Sequence, residues 1–359
     1  MKYPGVGTVT VMAAALLGSL AGAQNPTPKP APLGQGTIRL TSPQERQVFQ
    51  RDDRNRAMMT VAGKAPPDVD SVEARLTPQG IPPDLGGKWT PIAGPGQITK
   101  GEFRGTLPAP AGWYDLHVRG RAGQIVVSKA ELPRVGVGEV FVVCGQSNSA
   151  NHGNKPQTPK EDRVSALTAN SWQAAKDPQP LATGDGGSPW PLLGDMLVKE
   201  LDVPVAFASC GYGGTTTAQW QPDKQLYPRL QTVLKRLGPR GARAILWHQG
   251  ESDALSGVST ETYQQNMAAL IAASRRDAGW EVPWVVAAVS YLPANTRPNM
   301  DAVLAAQRAL WKNGLALEGP DTDIIAGPAY RYDAVHFNEE GLRAHAVRWQ
   351  LALRRAFFP

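Results

Sequence analysis

Val140-Phe141-Val142-Val143-Cys144, followed at once by Gly145-Gln146-Ser147-Asn148, is the stretch on which the fold reading turns. Consecutive apolar residues with no polar alternation describe a strand covered on both faces, as in a parallel sheet between helices. Similar runs return at 205–209, 244–247, 284–289 and 323–326. Helical periodicity lies between or after the later ones. Residues 260–276 put Tyr263, Met267, Leu270 and Ile271 on one face, and 299–312 and 338–357 read the same way. Buried strands followed by helices predict a three-layer, broadly flavodoxin-like α/β domain over residues 136–359. Such sheets hold their ligand sites at the C-terminal strand ends, where polar and glycine-rich segments are found here.

Working back toward the N-terminus, residues 36–135 have a different rhythm. Ile38 and Leu40, then Val72, Ala74 and Leu76, then Tyr114, Leu116 and Val118 alternate with polar neighbours between Pro- and Gly-rich breaks. That predicts a small antiparallel β-sandwich. Residues 24–35 read as a Pro-rich extended tether. Lys2, the short apolar stretch 9–20 and Ala21-Gly22-Ala23 make 1–23 a signal peptide cut after Ala23, so the expected location is secreted or periplasmic. The apolar stretch is too short to span a bilayer. Charged residues make up 19% and apolar ones 42%, which suits a globular chain. The net charge of +6 is scattered, with no basic run or aromatic platform, so no nucleic acid is expected as partner. The two cysteines, Cys144 and Cys210, each close an apolar run. Standing before two motifs, they can meet in space; two buried free thiols are expected, with a disulfide as the alternative, because a bridge between neighbouring strands needs specific Cα geometry.

Four strand-end segments carry chemistry. Ser147 stands just past the first buried strand, though outside the Gly-x-Ser-x-Gly elbow, since position 149 is Ser. The second strand opens into Gly211-Tyr212-Gly213-Gly214-Thr215, whose glycines permit a backbone donor to approach an oxyanion. The third opens into His248-Gln249-Gly250-Glu251-Ser252-Asp253, and the last is followed by Asp333-Ala334-Val335-His336-Phe337. Asp and His three apart in a loop let the carboxylate accept from one imidazole nitrogen while the other faces a nucleophile. The other histidines are few. His117 is expected on an exposed strand face, His345 mid-helix, and His152 and His248 beside the site. No third ligand accompanies His248 and Glu251, so no metal or other cofactor is expected.

Gly-Gln-Ser-Asn, Gly-Gly-Thr with Trp220, Gln-Gly-Glu-Ser-Asp and Asp-x-x-His-Phe, in that order, resemble the SGNH hydrolases. More narrowly, they are similar to the sialate O-acetylesterase and acetylxylan esterase group of carbohydrate esterases. The resemblance runs from about Gly138 onward, and the β-rich region before it is also similar to that of sialate O-acetylesterases. It implies an SGNH hydrolase domain with Ser147 as nucleophile, Asp333 and His336 completing a triad, and amides at Ser147 and a glycine of the second block as oxyanion donors. The family pattern picks Gly213, with Gly214 adjoining. The usual Asn of the third block is absent, so Gln249 is expected to supply its amide, with Ser252 as the rival.

The chemistry so implied is removal of acetyl groups from carbohydrates by acyl transfer to serine and hydrolysis, with an acetylated carbohydrate as partner. The competing reading, an inactive carbohydrate-binding protein on the same fold, conflicts with the intact Ser, His and Asp set. A sialic acid would call for a cation, for which Arg163, Arg297 and Arg331 are near enough in sequence. Neutral xylan would call for a platform from Trp172, Trp190 or Trp220.

Overall fold

The computed structural model describes residues 36–359, so the segments read as signal peptide and tether lie outside the described residues. Seven strands come first: β1 (Arg39–Ser42), β2 (Val48–Gln50), β3 (Arg56–Lys64), β4 (Ser71–Pro78), β5 (Thr90–Ala93), β6 (Glu102–Pro110) and β7 (Gly112–Ala122). β1, β3 and β6 form one antiparallel sheet. β5, β4 and β7 lead in antiparallel pairing to β8 (Ile125–Gly145). The inward residues Ile38, Val72, Ala74, Leu116 and Val118 meet Met59, Val61 and Leu107 in one apolar core, which explains the period-two pattern.

β8 is 21 residues long and belongs to both halves of the structure. Its first part pairs with β7, and its last part lies parallel between two later strands. Beyond it come β9 (Val164–Leu167), β10 (Trp172–Ala174), α1 (Trp190–Leu201), β11 (Val205–Ser209), α2 (Tyr227–Leu237) and β12 (Ala244–His248). The chain ends with α3 (Glu251–Leu255), α4 (Thr260–Ala278), β13 (Trp284–Ala288), α5 (Arg297–Lys312), β14 (Leu317–Asp321) and α6 (Glu339–Phe357). The strand order is β10-β9-β11-β8-β12-β13-β14, parallel except for the β10 edge. The chain leaves β8 first to the β9 and β11 side and then crosses to the β12 side. The crevice at the C-terminal end of β8 is therefore a topological switch point.

Residues of β8 point alternately into two cores. Val140, Val142 and Cys144 pack with α2, α4 and α5 through Leu230, Leu270 and Val303. Phe141 and Val143 pack with α1 and α6 through Leu193, Leu197 and Trp349. Each such side chain contributes roughly 1.5–3 kcal/mol by leaving water, so the strand that presents Ser147 is held from both sides.

Two expectations are corrected here. The run 323–326 is a turn, and the last strand is β14 just before it. This is an edge strand, with Leu317 and Glu318 exposed, so it lacks a continuous apolar run and tolerates Pro320. His117 is buried rather than exposed, its Nδ1 facing Glu131 Oε1 at 3.3 Å. β7 is covered on both faces there, Leu116 and Val118 also being buried. β9 escaped the sequence reading because four residues, Val164-Ser165-Ala166-Leu167, show no period.

Candidate active site

Gly145 ends β8 at φ 134°, and a Cβ there would lie 2.1 Å from the His248 carbonyl oxygen. Only glycine lets the chain pass this close to β12. Gln146 N–H then donates to His248 O at 3.0 Å, and Ser147–Ser149 make a single 3₁₀ turn closed by Ser149 N–H to Gln146 O and Ala150 N–H to Ser147 O. Ser147 is 6% exposed, at the C-terminal end of the strand. Its hydroxyl makes no hydrogen bond among the described residues.

The Asp333 and His336 loop is built around one carboxylate. Asp333 Oδ2 accepts from His336 Nδ1–H at 2.6 Å, while Oδ1 accepts the Val335 and His336 amides at 2.9 and 2.6 Å. Ala334 adopts φ 66°, the left-handed turn that lets both following amides converge on one oxygen. Burial alone would raise the Asp333 carboxyl. The His336 amide and ring and the Val335 amide outweigh it and hold the group below its usual range. Asp333 therefore stays ionised and fixes the imidazole with Nε2 turned outward. Arg331 anchors the loop from beneath, donating to Ile325 O at 2.7 Å and to Val335 O. Asn338 caps α6 by accepting from Gly341 N–H at 2.9 Å. His152 stacks on His336 with ring centroids 5.4 Å apart. Burial, then the His336 charge, lowers the His152 pKa, so the neighbour stays neutral.

Asn148 joins the two loops. Its Nδ2 donates to Glu251 Oε1 at 3.1 Å and to Val335 O at 3.4 Å, so the residue after Ser147 touches the residue before His336. Asn154 N–H to Phe337 O at 2.9 Å adds a second tie. The fold thus sets the turn that bears Ser147 against the loop that holds the Asp333–His336 pair. No hydrogen bond joins Ser147 Oγ to His336 in this structure, and in resting enzymes such contacts tighten when substrate binds.

Glu251, weighed in the sequence only as a block residue and a metal ligand without partners, lies beneath this junction. It is fully buried and also accepts from Gly250 N–H at 3.2 Å. Burial pushes its carboxyl up to about 7 against the lowering effect of its own amide and Asn148. An unfolded Glu gives up its proton near its ordinary value of 4.5, whereas the folded group keeps it to about 7. The stability this group contributes is therefore present below 4.5 and lost as pH rises through that interval. Glu251→Gln carries no such charge. Relative to wild type, its unfolding free energy should rise across the window by up to about 3 kcal/mol. Denaturant unfolding on either side of the window measures this, and parallel pH curves for the two proteins would contradict it.

The expected oxyanion donors are placed less simply. Ser147 N–H has no acceptor among the described residues. Gly213 N–H is already given to Thr183 Oγ1 at 2.9 Å, and a Cβ at Gly213 would lie 2.8 Å from His152 Nε2. Gly214, at φ 68°, has open space around it and an amide with no acceptor among the described residues. Gln249 is wholly buried, and its Nε2 donates to Asp253 Oδ2 at 2.5 Å and Thr215 O at 3.0 Å. Both its amide hydrogens are committed, although Gln146 Oε1 lies only 3.3 Å away. Ser252, its rival, donates its backbone N–H to Gln146 Oε1 at 3.2 Å.

The residues nominated for sugar binding lie elsewhere. Trp172, Trp190 and Trp220 are buried in the core. Arg163 pairs with Asp202 and Arg297 with Asp301, while Arg331 is buried under the Asp333–His336 loop. The sequence reading missed Tyr212 and Tyr332, which are 40 and 50% exposed and border the glycine turn and Asp333. Their adjacency to the motifs was the available signal. His248 bonds Thr322 Oγ1 at 2.8 Å, and burial and Arg331 push it down to about 3, so it is a neutral core residue. His345 is also buried, accepting from Trp349 Nε1–H at 3.0 Å.

A parallel sheet with a serine turn at its switch point and an Asp-x-x-His loop before the last helix defines an SGNH-like hydrolase fold. Residues 137–352 match the family model described as carbohydrate esterase, sialic acid-specific acetylesterase, and the chain belongs to that family. A probable carbohydrate esterase of Arabidopsis thaliana, At4g34215, is 28% identical over 165 residues, which span 39% of this chain and 64% of that protein. Two solved structures share the fold. XAC1771, a carbohydrate acetylesterase from Xanthomonas citri, superposes with a TM-score of 0.58 at 19% identity over 87% of this chain and 73% of that one. The structure of the Arabidopsis protein AT4G34215 gives 0.51 at 23% identity, over 62% of this chain and 99% of that one.

Proposed function

We propose that this chain is a serine esterase that removes O-acetyl groups from carbohydrates through an acetyl-enzyme. The observation that carries the reading is the Asp333–His336 pair, tied by Asn148 to the turn that bears Ser147. His336 Nε2 takes the Ser147 proton as Oγ attacks the acetyl carbonyl, because serine is a weak nucleophile at its own pKa. Asp333 keeps the imidazole in the required tautomer and stabilises the imidazolium. His336 then gives its proton to the departing sugar hydroxyl, and water repeats the sequence against the acetyl-enzyme. The resting arrangement supports the amides of Ser147 and Gly214 as oxyanion donors, each worth roughly 3 kcal/mol of barrier, since Gly213 N–H is already given to Thr183 Oγ1.

The committed amide of Gln249 favours a bracing part for it, holding Thr215 and Asp253 behind the glycine turn. Gln249→Ala should then cost about 1–3 kcal/mol of stability, since buried partners lose their hydrogen bonds. Its kcat should stay within about tenfold of wild type. A hundredfold or greater fall in kcat with unchanged stability would make Gln249 the oxyanion donor instead.

Asp333 and His336 expose 38 and 21% of their side chains, so the site is open enough for an ester carried on a glycan. Tyr332, half exposed and stacked on His336 with ring centroids 6.2 Å apart, offers an aromatic face to a sugar. Acetate release from a panel of acetylated sialic acids, xylan and peptidoglycan tests the reading. Release from at least one is expected, and a folded enzyme inert toward all of them would overturn it.

A further inference from the structure

Cys144 and Cys210 are the only cysteines of the chain, and the fold sets them against each other. β11 lies parallel to β8 with Ser209 opposite Val143, and Cys210 N–H extends the ladder onto Val143 O at 2.8 Å. Cys210 and Cys144 are next in register. Neighbouring strands run about 4.8 Å apart, within the Cα separation that a disulfide spans. The two sulfurs are 3.0 Å apart, within hydrogen-bond contact, Cys210 Sγ–H also reaches Val143 O at 3.4 Å, and both residues are buried free cysteines in this structure.

We propose that Cys144 and Cys210 are joined by a disulfide in the mature protein. It would clamp the strand that delivers Ser147 to the strand that delivers the glycine turn. The inference is independent of the esterase reading. Two apolar side chains could fill the same space; what packing alone leaves unexplained is that the chain's two cysteines, 66 residues apart, meet sulfur to sulfur.

The chemistry requires an external disulfide, either oxidised glutathione or a disulfide oxidoreductase. One cysteine thiolate attacks it and expels one thiol. The second thiolate then attacks the mixed disulfide and expels the other. One S–S bond forms, two protons leave the cysteines, and the two electrons pass to the external disulfide, which departs as two thiols. Burial pushes the Cys144 thiol well above the usual thiol range. The attacking thiolate therefore belongs to a stage of folding before β11 closes against β8. The N-terminal segment read as an export signal would deliver the chain to a compartment holding such oxidants.

The test uses the full chain in two preparations: one recovered after export, and one unfolded and refolded in mixed oxidised and reduced glutathione. Each is denatured without reductant, treated with N-ethylmaleimide and weighed by mass spectrometry. The expected result, in either preparation, is no adduct and a mass two hydrogens below that of the reduced chain, with two adducts appearing only after reduction. Two adducts without reduction in both preparations would overturn the proposal.

Discussion

Ser147→Ala should lower acetyl-ester hydrolysis by roughly 10⁴-fold or more while the protein stays folded. Loss of a serine nucleophile that works as one unit with its base removes nearly all the covalent route, leaving what oxyanion donors and binding supply. The fold should hardly notice. The Ser147 hydroxyl makes no hydrogen bond among the described residues, and the turn that carries it is fixed by backbone bonds from Gln146, Ser149 and Ala150. Thermal unfolding of the variant should therefore match wild type. Initial rates of aryl acetate hydrolysis measure the effect, and a folded variant with more than trace activity would remove Ser147 from the mechanism.

Asp333→Asn is expected to cost roughly 10⁴-fold in kcat, because an amide in place of the carboxylate permits the wrong imidazole tautomer. The Asn oxygen can keep accepting from the Val335 and His336 amides, as Asp333 Oδ1 does now. Its nitrogen then faces His336 Nδ1, and two donors cannot share that contact. The ring responds by carrying its proton on Nε2, the position that must accept from Ser147. The loop is held separately by Arg331 and by the Asn338 cap, so KM should change little. A variant that keeps kcat within tenfold would show that His336 is oriented by something other than Asp333.

Much of this was legible in the chain. The unbroken run 140–144 announces a doubly covered strand, and the alternation of Leu116 and Val118 announces a sandwich. Both follow from which faces a strand must bury. Asp333 and His336 were readable because their contact is local, three residues apart. Pairings at long range were not. That Asn148 reaches both Glu251 and Val335, or that Gln249 spends its amide on Thr215 and Asp253, depends on where separate loops come to rest. The same limit misplaced His117, whose exposure was judged from one strand when the opposite face is also covered. It also directed attention to tryptophans for sugar binding. Large apolar rings fill cores at least as readily as sites, and here the exposed rings are tyrosines in the glycine turn and beside Asp333.

The most direct test of the account is to look for the acetyl-enzyme itself. Wild-type protein mixed with an aryl acetate and quenched in acid during turnover should carry one acetyl group by intact mass. Peptide mapping should place it on Ser147, and Ser147→Ala should carry none. Acetylation on any other residue during turnover, or undiminished turnover by Ser147→Ala with no acylated species, would contradict the central claim.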